Sequence, residues 1–173
     1  GSVPDDNPYT DGKKGDPRVW SYGHRSPQGL ALDTKTGIVY MHEHGPQGGD
    51  ELNILKSGRN YGWPVITHGK TYGLGRTIGE GTEREDVPAA LKIWLPQSIA
   101  PSGLSFYTGN LFPEWRSSLF LGSLREQMLI RLTLKGNTVT GEERIAGFGR
   151  VRDVREGADG AIYVVSESMG KVF

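Results

Sequence analysis

The chain has 173 residues, with 20 Lys+Arg against 20 Asp+Glu, so its net charge is zero and it lacks the global field of a nucleic-acid or anionic-membrane binder. Its 35% of hydrophobic residues fall in short runs, which excludes a transmembrane helix of roughly 20 apolar residues. The absence of cysteine excludes disulfides, thiolate zinc sites, Fe–S clusters and a Cys nucleophile.

Residues 1–18 are polar and turn-rich (Asp5-Asp6-Asn7-Pro8, Gly15-Asp16-Pro17) and read as an irregular loop. Short β-type runs follow at Val19–Tyr22, Gly29–Leu32, Ile38–His42 and Glu51–Leu55. Residues 58–88 are Gly-rich and aperiodic, and a connection of that length is usually functional or disordered. Strands resume at Leu91–Leu95, Gly103–Tyr107, Leu119–Leu124, Met128–Leu134, Thr138–Ala146, Arg152–Arg155 and Ile162–Ser166. Phe112–Trp115 has room for one helical turn at most; almost no segment carries a 3.6-residue apolar period. The 26 glycines, about twice the usual ~7% share, supply the tight turns that so many short strands need.

Three segments repeat one pattern of strand, turn and apolar strand. Gly29–Leu32 leads to Ile38–Met41, Gly103–Phe106 to Leu119–Leu121, and Asp153–Arg155 to Ile162–Val165. Four-stranded repeats of roughly 40–50 residues signal a β-propeller, of which this length makes three to four blades, an incomplete ring; a sandwich or open meander is the alternative. Trp20, Trp63, Trp94 and Trp115 lie beside Pro or at strand starts and read as core or blade-packing residues.

Two clusters carry candidate chemistry. In Gly23-His24-Arg25-Ser26-Pro27-Gln28-Gly29 and Glu43-His44-Gly45-Pro46-Gln47-Gly48-Gly49-Asp50-Glu51-Leu52-Asn53, polar and Gly residues crowd at strand ends. His42 and His44, two apart, would share one strand face, which leaves a zinc reading open, while the Gly-Pro carbonyls with Asp50 and Glu51 suit a hard cation such as Ca²⁺, and a solvated acidic turn is the plainer alternative. In Gly149-Arg150-Val151-Arg152-Asp153-Val154 the two guanidiniums would project from one side and repel unless an anion or carboxylate lies between them. No Walker, Rossmann, nucleophile-elbow or HExxH motif is present.

These motifs, taken in order with Asn60-Tyr61-Gly62-Trp63-Pro64, Ala100-Pro101-Ser102-Gly103 and Leu119–Leu124, resemble the soluble PQQ-dependent aldose sugar dehydrogenases of the glucose/sorbosone dehydrogenase family along the whole chain. The resemblance implies an all-β, six-bladed β-propeller, with residues 1–173 forming the C-terminal part of that single domain, about three blades. It implies oxidation of aldose sugars to lactones with PQQ and Ca²⁺ as cofactors, in the periplasm or secreted, and N-terminal blades as the chain's missing partner. By the same resemblance Arg25, Ser26, Gln28, His44, Arg125, Arg150 and Arg152 face PQQ. Ser26 stands where Asn is more usual, His44 where some members have Gln, and Arg125 where others have Lys. Gly45 and Pro46 match carbonyl ligands of the PQQ-bound Ca²⁺, Glu51 and the Tyr61 carbonyl match a second, structural Ca²⁺ site, and Ser98 and Ser166 match hydroxyls near the cofactor. The family's general-base His and its Asp partner lie in the N-terminal half and match none of His24, His42, His44 or His68, so no catalytic residue is expected in this chain. A non-catalytic interaction propeller of the same superfamily is the alternative.

Overall fold

The structure is a computed structural model and describes residues 2–173. Its eleven strands are β1 (Pro27–Asp33), β2 (Ile38–Glu43), β3 (Asp50–Ile54), β4 (Lys92–Trp94), β5 (Pro101–Phe106), β6 (Ser118–Ser123), β7 (Met128–Lys135), β8 (Thr138–Ile145), β9 (Val151–Glu156), β10 (Ile162–Ser166) and β11 (Lys171–Val172). The one helical element among the described residues is a 3-10 turn at Pro113–Trp115, within the stretch with room for a turn.

The strands form three antiparallel meanders, β1-β2-β3-β4, β5-β6-β7-β8 and β9-β10-β11. Their first strands are neighbours, β1 against β5 and β5 against β9. Sheets that succeed one another with first strands adjacent are blades of a propeller, here a partial one. The three sequence repeats are the two inner strands of each blade.

The middle blade is packed on both faces because its side chains alternate. Leu119 and Leu121 of β6 join Tyr40, Leu52, Trp94, Leu104 and Phe106 in the core between the first two blades. Phe120, between them in sequence, points the other way into the core formed with Tyr107, Val151, Val154 and Val164. Close approach of the inner strands depends on glycine: a Cβ on Gly29 would come within 2.8 Å of Leu104 Cβ.

Two expectations change. Val19–Tyr22 is not a strand; it runs beside Arg59–Asn60 with a single bridge, Tyr22 to Asn60, outside every sheet, and leaves Trp20 exposed. The four tryptophans also divide. Trp94 is core and Trp115 packs on the second cluster, whereas Trp63 lies under the Arg25 guanidinium, 5.4 Å from its ring centroid. The aperiodic connection between β3 and β4 is fastened by isolated bridges, Ile66 to Gly81 and Lys70 to both Gln47 and Thr77. It thereby folds back on the β2–β3 turn.

Candidate functional site

The residues singled out in the sequence lie at one end of the blades, where β1, β3, β5, β7 and β9 begin and β2, β4, β6 and β10 end. Asp50, at the start of β3 and fully buried, organises this end. Its Oδ1 accepts from Gly45 N–H (2.9 Å); its Oδ2 accepts from Ser98 Oγ (2.6 Å), Ile99 N–H (2.8 Å) and Ala100 N–H (2.9 Å). One carboxylate therefore shapes both the Gly45-Pro46 turn and the corner leading into β5. With those donors around it, Asp50 is a structural acceptor, and Ser98 is committed to it. Pro46 is pressed against Gly69, where a Cβ would fall 2.2 Å from Pro46 Cδ.

Glu43, at the end of β2, is the second organiser and is nearly buried. It accepts from Arg25 N–H at 2.5 Å, from His24 Nδ1 at 3.2 Å and from Asn53 Nδ2 at 3.4 Å. His24 stacks on Tyr61 with ring centroids 4.7 Å apart. Arg25 also donates through Nη1 to the His44 carbonyl (3.1 Å) while covering Trp63. A recess results, lined among others by Arg25, His44, Gly45, Glu51, Tyr61 and Trp63. It borders a cavity of about 550 Å³ walled by Glu51, Tyr61, Ile66, His68, Val87 and Ile93.

Glu51 is the carboxyl with spare capacity here. Burial, reinforced by the nearby Glu43 and Asp50 charges, pushes its pKa up to about 7 against the pull of the Asn53 hydrogen bond. Asn53 donates to both Glu43 and Glu51, and its Oδ1 is buried with no hydrogen-bond partner. An orphaned acceptor beside an under-solvated carboxyl is an oxygen-donor set short of a positive charge, which suits a hard divalent cation.

The two histidines of β2 are spoken for. His42 Nε2 donates to Gly103 O and His44 Nε2 to Pro101 O, each at 2.8 Å, so both fasten the first blade to the second. Burial drives the His42 pKa down to about 4, which leaves a neutral imidazole. The zinc reading of this pair therefore gives way to a structural one.

Arg150 and Arg152 do share a partner, Glu167 Oε2, with Arg152 Nη2 at 3.3 Å. The Glu167 N–H donates to Arg150 O (2.9 Å), which fixes the β10–β11 turn against the pair. The carboxylate that two neighbouring guanidiniums require is thus internal. Arg125 is held at the β6–β7 turn by Gln97 Oε1 (2.8 Å) and Ser98 O. Gln28 Nε2 donates to Ser26 Oγ (3.1 Å), and Ser166 Oγ accepts from Met169 N–H. The structure thus gathers Arg25, His44, Gly45, Glu51 and Tyr61 at one recess. Gln28 and Arg152 lie in a separate depression on the inner strands. Sequence reasoning placed Glu43 and Asn53 in the candidate cluster and Trp63 among packing residues but gave none of them, nor Glu167, a role in the site; Glu43 had a further signal, as an acid at the end of an apolar strand.

A family model for Glucose / Sorbosone dehydrogenase matches residues 1–173. The chain belongs to the glucose/sorbosone dehydrogenase family. It is 39% identical to aldose sugar dehydrogenase YliI of Escherichia coli (strain K12) over 178 residues, which cover 99% of this chain and 47% of that protein. A crystal structure of a glucose dehydrogenase superposes with a TM-score of 0.90 at 48% identity, covering 96% of this chain and 49% of the other. An aldose sugar dehydrogenase from Streptomyces coelicolor, solved in its PQQ-bound form, gives 0.71 at 29% identity, covering 99% of this chain and 45% of the other. The chain spans about half the length of these relatives.

Proposed function

We propose that residues 1–173 are the cofactor- and calcium-binding part of a single propeller domain that oxidises aldose sugars to lactones in the periplasm or outside the cell. The observation that carries this reading is the convergence at one end of the blades of the Arg25 recess, the Arg150–Arg152 pair and the cation-deficient Glu51–Asn53 cluster. PQQ, an ortho-quinone with three carboxylates, supplies a two-electron acceptor for the anomeric hydride. Arg25, Arg125, Arg150 and Arg152 offer guanidiniums to its carboxylates, with Ser26, Gln28 and His44 as further polar contacts. Arg25 is oriented for this by three constraints: its backbone on Glu43, its Nη1 on His44 O and its plane on Trp63. Gly45 and Pro46 would offer carbonyls to a Ca²⁺ at the quinone, in a turn that Asp50 holds. Glu51 and the Tyr61 carbonyl would hold a second Ca²⁺.

In this reading the hydroxyl proton goes to a base outside this chain, as the family resemblance implies. His24 is bound between Ser21 and Glu43, His42 is buried and neutral, and His44 is bound to Pro101 O. His68 lines the cavity beside Glu51. Losing a general base typically costs about 10²–10⁴ in rate. The isolated chain should therefore show negligible glucose oxidation with PQQ and Ca²⁺. Mixing it with an N-terminal half-propeller of the family should restore dye-linked activity; full turnover by the chain alone would contradict the reading. A second reading, a non-catalytic interaction propeller, is favoured by one observation: the arginine pair has an internal partner in Glu167. It predicts no PQQ affinity even in the mixed ring.

A further inference from the structure

The three inner strands share an irregularity at the same end. Pairing of β1 with β2 skips Gln28, since Pro27 faces Glu43 and Gly29 faces His42. Pairing of β5 with β6 skips Gly103, between Ser102 facing Gly122 and Leu104 facing Leu121. Pairing of β9 with β10 skips Arg152, between Val151 facing Ser166 and Asp153 facing Val165. A bulge inserts one residue and reverses the inside–outside alternation beyond it. Residues three apart on a regular strand point to opposite faces, so Arg152 and Arg155 would be separated without the bulge. With it, both line one depression of about 320 Å³ together with Gln28, Ser102, Gly103 and Asp153.

We propose that this depression is an oxyanion-binding site in which Arg155, with Arg152 and Gln28, takes a carboxylate or phosphate group. Two contacts hold Arg155 in place, as its Nη1 donates to Leu104 O (3.2 Å) and its Nε pairs with Asp153 Oδ2 (3.2 Å). Asp153 is itself fixed, its Oδ1 accepting from the Val154 N–H. The side chain of Arg155 stays 60% exposed, so part of its fork is open to a ligand. Counting every charge on these side chains and their partners, Arg150, Arg152 and Arg155 face Asp153 and Glu167, an excess of one positive charge. Gln28 adds a carboxamide donor from the first blade. Gly103, at φ +53°, has no room for a side chain, because a Cβ would fall 2.5 Å from Asp153 Oδ1. At Gly103 β5 therefore presents only backbone, beside the Ser102 side chain, and the charged and amide groups of the site come from β1 and β9. Paired guanidiniums on a planar or tetrahedral oxyanion make bidentate, charge-assisted bonds stronger than neutral ones. The site rests on the proposed cofactor face for Gln28 and Arg152 but not for Arg155, which no part of that reading uses.

The test is a titration of the 173-residue chain with inorganic phosphate and, separately, with malonate, at constant ionic strength set by chloride, read by isothermal calorimetry and by backbone amide shifts on β1, β5 and β9. Both anions should bind saturably and move the amides of Gln28, Gly103 and Arg155. Arg155→Gln should weaken binding about tenfold or more, Arg155→Lys, which keeps charge but loses the fork, by less. Arg131→Gln, on the outer strand β7, should change nothing. A phosphate preference assigns the site to a phosphorylated ligand and a malonate preference to a carboxylate ligand. Amide shifts no larger than those with chloride, or wild-type affinity in Arg155→Gln, would overturn the proposal. Arg25→Ala separates it from the cofactor reading: that variant should lose PQQ affinity in the mixed ring and keep phosphate or malonate binding in the chain.

Discussion

The first and second blades have the same four-stranded plan and bury different chemistry. In the second, β6 is buried along its whole length and fills two cores with Leu119, Phe120 and Leu121. In the first, β2 and β3 bury His42, Glu43, Asp50 and Asn53 at the end that meets the candidate site. Buried apolar residues stabilise without regard to direction, whereas buried polar groups cost free energy unless each finds its partner. The second blade buries polar groups only as the hydroxyls of Ser102, Ser105, Ser118 and Ser123. At its site end the first buries three ionisable side chains and an amide that fix loops, and the second supplies the wall they are fastened to. His42, His44 and Asp50 all reach residues of the second blade or the corner entering it.

The sharpest way to break this comparison is to remove the central acceptor of the first blade. Asp50→Ala would leave three backbone N–H groups and the Ser98 hydroxyl without it. At about 1–3 kcal/mol per unsatisfied buried donor, it should cost roughly 5 kcal/mol in urea denaturation. Leu121→Ala in the second blade, a cavity substitution, should cost about 3 kcal/mol. If the leucine costs more than the aspartate, polar placement is not what holds the first blade.

The pH dependence sharpens the same contrast. An unfolded His takes its proton near pH 6.5, while folded His42 resists it down to about 4. Its folded pKa is depressed, so the unfolded chain binds more protons in that window and stability is lost as pH falls from 6.5 toward 4. The full loss is about 3 kcal/mol. Glu51 works in the opposite sense, because its raised pKa favours the folded chain as pH drops from 7 to 4.5. The His42 contribution is therefore read from the difference between wild type and His42→Gln, which should lose less stability on acidification. Parallel pH profiles would contradict the burial argument.

The smallest effect concerns metal. A cation that binds only the folded chain stabilises it by about 2.7 kcal/mol at a hundredfold excess over its Kd. Ca²⁺ should raise Tm, EGTA should reverse the rise, and Glu51→Gln should remove the share of it that comes from the second site. An unchanged Tm in wild type would count against both calcium sites.

The blade plan was legible in the sequence because Gly turns and short apolar runs are local signals. The inner strand pairs fell where the repeat placed them, at Gly29–Leu32, Gly103–Phe106 and Asp153–Arg155. Val19–Tyr22 carried the same local signal but pairs only with the Gly58–Tyr61 loop, through one bridge, and so joins no sheet. The partners of the site residues were not legible. Glu167 reaches Arg150 and Arg152 from the next turn of the meander, and Trp63 meets Arg25 only because the long β3–β4 connection folds back. The bulges at Gln28, Gly103 and Arg152 are likewise properties of pairing register, which no single strand encodes.

In the proposed function the polar end of these blades holds a polycarboxylate quinone through its arginines. The most direct test is a PQQ titration, followed by intrinsic tryptophan fluorescence, of the chain mixed with an N-terminal half-propeller of the family in the presence of Ca²⁺. Wild type should bind saturably, and Arg150→Ala and Arg152→Ala should each weaken binding about tenfold, as expected for loss of a charge-assisted contact. The absence of saturable binding, or equal affinity in all three proteins, would contradict the account.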